Sequence, residues 1–481
     1  MRRTFILAGG SAVLAALVAC ATSDDGSSSF LPDSDAGSSA VPEAAAPAEG
    51  GAWVRDAGGP TISWCSDAGW CATTLPDPDL TLTDIWPFDE RAFAIAESQT
   101  LGTKVLEWTE ATESWAYIDD NSQNAYGQGQ YAGKIWAPNE NEIYYGVAPS
   151  FLYHGTRATP SSPWTWESTR LEYSGRDFGP ERDPGRPRYA KHSTYPEHYP
   201  ALGVWGTSGD DVYAWYANTI FHRKSEDGGA PTWVPEYVAE DSATPDDAFF
   251  IFAAAGSSSD DVFFAGGRGR YNTGTTGVFP CTIVVRRTPD EYRRIVDHTI
   301  NPAPEGTCRA KAGAVQFRAD IFVAALGGNI SLPITNPGWL TSIASPRPGA
   351  VVGILDRTNL GYIGSDGAGS ALLNPVGVRG ATYAFDPLLS SIWIHGDTAW
   401  LSGWGLVLEA ENNPNAFAAG QGLRTAEELV TAGVDGGATY SISTTVLNGA
   451  PLDRSLLQVR GSSNTNLWAV GPRYALHKTT P

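Results

Sequence analysis

The chain has 481 residues, 42% hydrophobic and 11% aromatic, which is ample for a large buried core and excludes a disordered protein. Its formal net charge is −21, so the surface repels phosphate backbones and anionic lipid heads, and no nucleic-acid partner is expected. No EF-hand-like spacing accompanies the acidic residues, and the acidity reads as solubility.

At the start of the chain, Arg2 and Arg3 precede the run FILAGGSAVLAALVA, which is too short and too rich in Gly and Ser for a membrane span. A cysteine follows directly. Leu17, Val18, Ala19 and Cys20 resemble the cleavage site of bacterial lipoprotein signals. That resemblance implies removal of residues 1–19, lipidation of Cys20 and a place on the cell envelope. Ala21 stands where enteric lipoproteins kept at the inner membrane carry Asp, which points to the outer membrane. The alternative is an ordinary secretory signal ending at a cysteine. Residues 21–50 are Ala, Ser, Asp, Gly and Pro with almost nothing to bury, so Cys20 and this segment form a tether with a reach of about 30 Å. The folded domain is expected over 51–481, beginning near Trp53.

Four cysteines remain after Cys20: Cys65, Cys71, Cys281 and Cys308. An even number in an exported chain reads as disulfides, and closeness in sequence favours Cys65 with Cys71 and Cys281 with Cys308. Without a C-x-x-C or a suitably spaced His, zinc is not expected, and neither is another metal or a cofactor.

From Asp84 onward one pattern recurs: an apolar pair, a turn of about five residues, then an apolar strand ending in a small residue. Eight stretches carry it, at 84–96, 134–146, 202–215, 253–267, 315–328, 351–369, 391–405 and 459–471. In the clearest copies the second strand is apolar on consecutive residues, as in Val212, Tyr213, Ala214 and Trp215 or Leu467, Trp468, Ala469 and Val470. Such a strand is buried on both faces. Stacked all-strand units closing in a ring meet that condition, which predicts an all-β fold: a single β-propeller of four-stranded antiparallel blades. Two successive 39-residue intervals are short for complete blades, so seven blades are expected and eight is the alternative. The last copy ends at its third strand, and a fourth from the N-terminal side, at 52–56 or 61–65, is expected to close the ring.

Val204 to Trp215 with Ile220 to His222, and Val459 to Gly471 with Ala475 to His477, resemble the W-G-S-S-x-x-D-V-W-A-V-G and I-L-H repeats of secreted bacterial β-propellers of myxobacterial type. The resemblance covers most of 84–478. Ser225 to Trp233, SEDGGAPTW, is similar to the Asp-box of sialidase-like propellers with one extra residue. In those families the box is a turn remote from the active site.

For chemistry the sequence offers little. His154, His222 and His477 end third-strand motifs and read as a repeated structural hydrogen bond. There is no G-x-S-x-G, H-E-x-x-H or phosphate-cradling glycine loop. The unusual insertion is 174–200, where Arg182, Arg186, Arg188, Tyr189, His192, Tyr195 and Tyr199 form a basic, aromatic stretch in an acidic chain. Guanidinium forks match carboxylates and tyrosines stack on sugars, so these residues are the binding candidates, with a proline-stiffened rim connection as the bland alternative. A second arginine-rich stretch, 284–297, is expected to be an outer hairpin with its arginines on a solvated edge. The sequence thus points to a monomeric envelope lipoprotein that binds a protein or carbohydrate. A propeller-fold glycoside hydrolase or lyase and a purely structural envelope protein are the alternatives, and no catalytic residue stands out.

Overall fold

The computed structural model describes residues 65–480 except 126–130, 149, 173–200, 226–228, 246, 272–277, 302–306, 324–327, 365–366, 373–387, 397, 412–439, 445 and 448. Seven antiparallel sheets form a β-propeller. Their inner strands are Thr81–Pro87, Ala132–Asn139, Leu202–Ser208, Ala248–Ser258, Leu340–Arg347, Ser391–His395 and Gln458–Ser463, numbered here as blades 1 to 7. These inner strands neighbour one another in that order, and the seventh returns to the first. Among the described residues the only helical turn is Ser122–Asn124, and no helix is long and apolar enough to cross a membrane.

Burial on both faces is what selects this fold. The second strand of blade 3, Asp211–Tyr216, buries Val212 through Tyr216, and that of blade 7, Asn466–Gly471, buries Leu467 through Gly471. Between blades 2 and 3, Tyr144 and Leu152 pack on Val204, Val212, Ala214 and Phe221; between blades 7 and 1, Trp468 and Val470 pack on Leu82, Ala92 and Leu106. Each Val, Leu or Phe side chain among these stabilises the ring by about 1.5–3 kcal/mol relative to exposure. The tryptophan-glycine pairs of the repeat have a steric origin. A Cβ on Gly206 would lie 2.9 Å from the ring of Trp136 in the preceding blade, and one on Gly256 would lie 2.9 Å from that of Trp205.

The ring closes with a strand from the N-terminal side, but not at the expected place. Trp70–Ala72 is the outer strand of blade 7, pairing antiparallel with Tyr474–Lys478. Of the two expected segments, 52–56 and 61–64 lie outside the described residues, and Cys65 makes an isolated bridge to Cys71. Two other readings also change. The copy at 315–328 is not a blade: Arg318–Val323 and Gly328–Pro333 form a hairpin that joins the outer strand of blade 5 through one parallel pair. The copy at 351–369 is displaced by one strand, because Ala350–Leu355 is the second strand and Asn359–Gly364 the third. Blade 5 thus has six strands and blade 4 has five. The arginine-rich hairpin is the third and fourth strands of blade 4; Arg293 is exposed as expected, whereas Arg286, Arg287 and Arg294 are partly buried in ion pairs.

Both disulfides pair as closeness in sequence favours, Cys65 with Cys71 and Cys281 with Cys308. The second fastens the added outer strand Cys308–Ala310 to the third strand of its blade, and by loop-closure entropy contributes about 3–4 kcal/mol.

The third-strand histidines form a repeated device. In blade 3, Thr207 Oγ1 donates to Asp211 (2.5 Å), Asp211 meets His222 Nε2 (3.1 Å), and the imidazole stacks on Tyr213 (4.2 Å). Blade 2 repeats it with Glu142, His154 and Tyr144, and blade 7 with Asn466, His477 and Trp468. Blade 4 replaces the histidine by Arg286, which reaches Asp261 at 2.8 Å, and blade 1 reverses the charges as Arg91 and Glu107 at 2.6 Å.

The partner sets the proton affinity. Burial depresses His222, but the hydrogen bonds it donates to Asp211 and Glu236 outweigh it and hold the imidazole above its ordinary value. Facing the neutral Asn466, His477 is pushed down to about 4 by burial, and burial likewise pushes His298 down to about 4. A histidine depressed in the folded state favours folding above its unfolded value and loses that contribution as pH falls, here between about 6.5 and 4. Each of the two contributes about 3 kcal/mol to that loss, with a slope approaching about 1.4 kcal/mol per pH unit. His477→Phe, which keeps a ring on Trp468, is expected to flatten the acid limb of the stability profile by one proton. Denaturant unfolding from pH 7 to pH 4.5 checks it, and superimposable profiles would refute the assignment.

Candidate functional site

Compared column by column, the seven inner strands place two levels of side chains around the axis. Pairing with the second strands aligns Trp86, Trp136, Trp205, Ala255, Ala344, Trp393 and Arg460, opposite Phe93, Tyr144, Tyr213, Phe263, Val352, Trp400 and Trp468. Two residues earlier on each strand, and so on the same face, are Asp84, Lys134, Gly203, Ala253, Ser342, Ser391 and Gln458. The first set lies nearer the turns that end the inner strands. There Trp86, Trp205, Trp393 and Arg460 are partly exposed and rim a channel cavity of about 270 Å³ lined by residues of all seven blades.

The deeper level has a structural task in three blades. Its side chain accepts an N–H from the next inner strand: Asp84 from Ile135 (3.0 Å), Ser342 from Ile392 (3.2 Å) and Ser391 from Val459 (3.2 Å). Each bond satisfies an edge donor that the radial sheets leave without a strand partner. Lys134, which carries only donors, cannot do this. Its Nζ reaches Gln458 Oε1 across the channel at 3.5 Å, at the limit of a hydrogen bond.

Two cations share one carboxylate here. Asp84 is fully buried and already accepts the N–H of Ile85 (3.0 Å) as well as that of Ile135. Arg460 Nη1 lies 3.6 Å from Asp84, donates to the carbonyl of Ile85 (2.8 Å), and its guanidinium lies 4.5 Å from the centre of the Trp86 ring. Burial pushes both Lys134 and Arg460 below their ordinary values, against the pull of Asp84. Counting Lys134 and Arg460 against Asp84, the charged side chains lining the cavity sum to a formal charge of plus one. Two buried donors on its wall, Thr341 Oγ1 and Trp215 Nε1, have no partner among the described residues.

Among the described residues that line this channel Asp84 is the single carboxylate. The pair that glycoside hydrolysis uses is not assembled there. Nor do three His, Cys, Asp or Glu side chains converge to hold a metal ion among the described residues.

The sequence-predicted binding residues Arg182, Arg186, Arg188, Tyr189, His192, Tyr195 and Tyr199 lie outside the described residues. In the chain that segment lies between the outer strand of blade 2, Thr165–Arg170, and the inner strand of blade 3. The partly exposed tryptophans lie toward the far ends of the inner strands. The Asp-box-like stretch falls in the chain between the third and outer strands of blade 3; its residues 226–228 lie outside the described residues, and beside them Ser225 Oγ donates to the carbonyl of Gly229 at 2.5 Å. None of the channel residues stood out in the sequence, although the aligned triplets D-I-W, K-I-W, G-V-W, S-I-W and Q-V-R contain them.

No protein-family model and no curated protein matches this chain. Among solved structures it is similar to YCF48 bound to D1 peptide, at 10% identity over 87% of this chain and 99% of that chain with a TM-score of 0.47. It is also similar to U3-55K, at 10% identity over 86% and 99% with a TM-score of 0.49, and to the RRP9 WD40 repeats, at 11% identity over 87% and 100% with a TM-score of 0.48. These similarities concern the fold alone.

Proposed function

We propose that this chain is an exported lipoprotein of the bacterial envelope, anchored through Cys20 and its tether, and that its propeller is a recognition module for a protein or carbohydrate partner. The observation that carries the binding half is the channel rim, where Trp86, Trp205 and Trp393 stand partly exposed beside Arg460. Tryptophan and arginine around a concave opening are the composition of binding hot spots. A channel wall with one carboxylate, already engaged, favours binding over glycoside hydrolysis.

The anchoring half rests on Leu17, Val18, Ala19 and Cys20, and Ala21 favours the outer membrane. Labelling with radioactive palmitate is expected to mark the wild-type chain and not Cys20→Ser, and the variant is expected to leave the membrane fraction. Equal labelling and equal membrane retention of the two would contradict the anchor and leave the channel reading untouched.

A further inference from the structure

The polar level of the channel contains a residue that fold maintenance does not explain. At that level Asp84, Ser342 and Ser391 bind the next blade by accepting an N–H, whereas Lys134 places a cation on the axis with one contact at 3.5 Å. Gln458, which meets it, is 4% exposed and spends its amide on two long bonds, to Lys134 and to the carbonyl of Val459 at 3.4 Å. Lys134 is partly buried, and leaving a partly desolvated cation this weakly engaged has a cost. Its neighbours are donors as well. A Cβ on Gly203 would lie 2.8 Å from Lys134 Cβ and 2.3 Å from the Trp215 ring, so the indole, whose N–H has no partner, packs beside the lysine stem. The Thr341 hydroxyl, on a residue 5% exposed, is unpartnered too.

We infer that the channel binds the carboxylate of a small acid with an apolar body, held by Lys134 and Arg460 with the Thr341 hydroxyl and the Trp215 N–H as further donors. This inference rests on the reading of the channel as the recognition site. Three features select the ligand. One net positive charge matches one carboxylate. Lys134 and Arg460 carry only donors, which suits an acceptor-only carboxylate better than the hydroxyls of a neutral sugar. Ile343, Ile394 and the tryptophan rings offer the rest of the ligand an apolar surface, in a volume of about 270 Å³. An entering carboxylate also restores the charged form of Lys134 that burial disfavours.

Titration calorimetry on the full chain with N-acetyl-leucine, N-acetyl-leucinamide and glucuronate tests this. The expected result is binding of N-acetyl-leucine, at least tenfold weaker binding of the amide, and at least tenfold loss of the acid in Lys134→Met. Thr341→Val, nearly isosteric, is expected to weaken the acid severalfold with the melting temperature held, which keeps the test valid if the lysine variant fails to fold. Equal binding of acid and amide would overturn the role of the charge. Binding of glucuronate without N-acetyl-leucine would overturn the apolar ligand and leave channel recognition standing. Failure of all three at millimolar concentration would remove the channel as the binding site.

Discussion

Trp70→Ala is expected to cost about 3–5 kcal/mol, read as a fall in the denaturant midpoint, and a chain starting at Thr73 is expected to lose cooperative unfolding altogether. The strand Trp70–Ala72 is short, but among the described residues it is the one outer strand of the last blade. Trp70 pairs with Lys478, Cys71 with His477 and Ala72 with Leu476, and Thr73 adds two bonds to the carbonyl of Ala475 at 2.8 and 2.9 Å. The Trp70 side chain is fully buried, donates its indole N–H to Ser443 in blade 6 (2.8 Å) and meets the Trp400 ring edge-on at 6.1 Å. One side chain from the N-terminal side thus holds blades 6 and 7 together. A cooperative melt at unchanged temperature in the chain starting at Thr73 would show that the ring does not need this clasp.

Arg268→Met is expected to cost a similar 3–5 kcal/mol, because it leaves buried carboxylates without their shared cation. Arg268 is completely buried in blade 4 and contacts Asp241 (2.9 Å), Asp247 (3.5 Å) and Asp297, with its guanidinium 4.5 Å from the Phe249 ring. Burial works against ionisation of Asp241, and hydrogen bonds from Lys311 and Arg268 outweigh it and hold the carboxyl well below its ordinary value. Arg270 and Lys311 also reach this cluster, at 2.7 Å from Asp247 and 2.5 Å from Asp241. They sit at its partly exposed edge and cannot follow the carboxylates inward. Urea unfolding decides the matter, and a loss under about 1 kcal/mol would mean that those two cations suffice.

What the sequence made legible follows from burial geometry. Runs such as Val212 to Trp215 declare a strand covered on both faces, and their recurrence along the chain leaves few architectures. The third-strand histidines were legible as a structural repeat because each ends the same short third-strand motif, and in the fold each meets an acidic or amide residue. Errors arose where local pattern is blind to pairing. Arg318–Val323 has the strand and turn of a blade's inner hairpin, yet it adds to the outer edge of a sheet. The turn at Asp356 and Arg357 resembles an inner turn but joins the second and third strands. Trp70–Ala72 is three residues long and carries no periodicity to read.

The channel was illegible for a different reason. Lys134 and Gln458 are 324 residues apart and meet only because the ring closes. Each is a single polar residue in an otherwise ordinary inner strand, and its meaning emerges once the columns of the repeat are set side by side. Position in the ring, not local sequence, distinguishes a residue that binds the next blade from one that faces the axis.

The measurement that tests this account most directly is a comparison of urea midpoints for Lys134→Met and Arg268→Met in the full chain. Both replace a cation by a side chain of similar length, one partly exposed in the channel and one fully buried in a blade. If the lysine belongs to a binding site and the arginine to the fold, Lys134→Met unfolds at the wild-type midpoint or above it, while Arg268→Met falls by several kcal/mol. A loss in Lys134→Met as large as that in Arg268→Met would make Lys134 part of the scaffold and contradict the assignment of the channel.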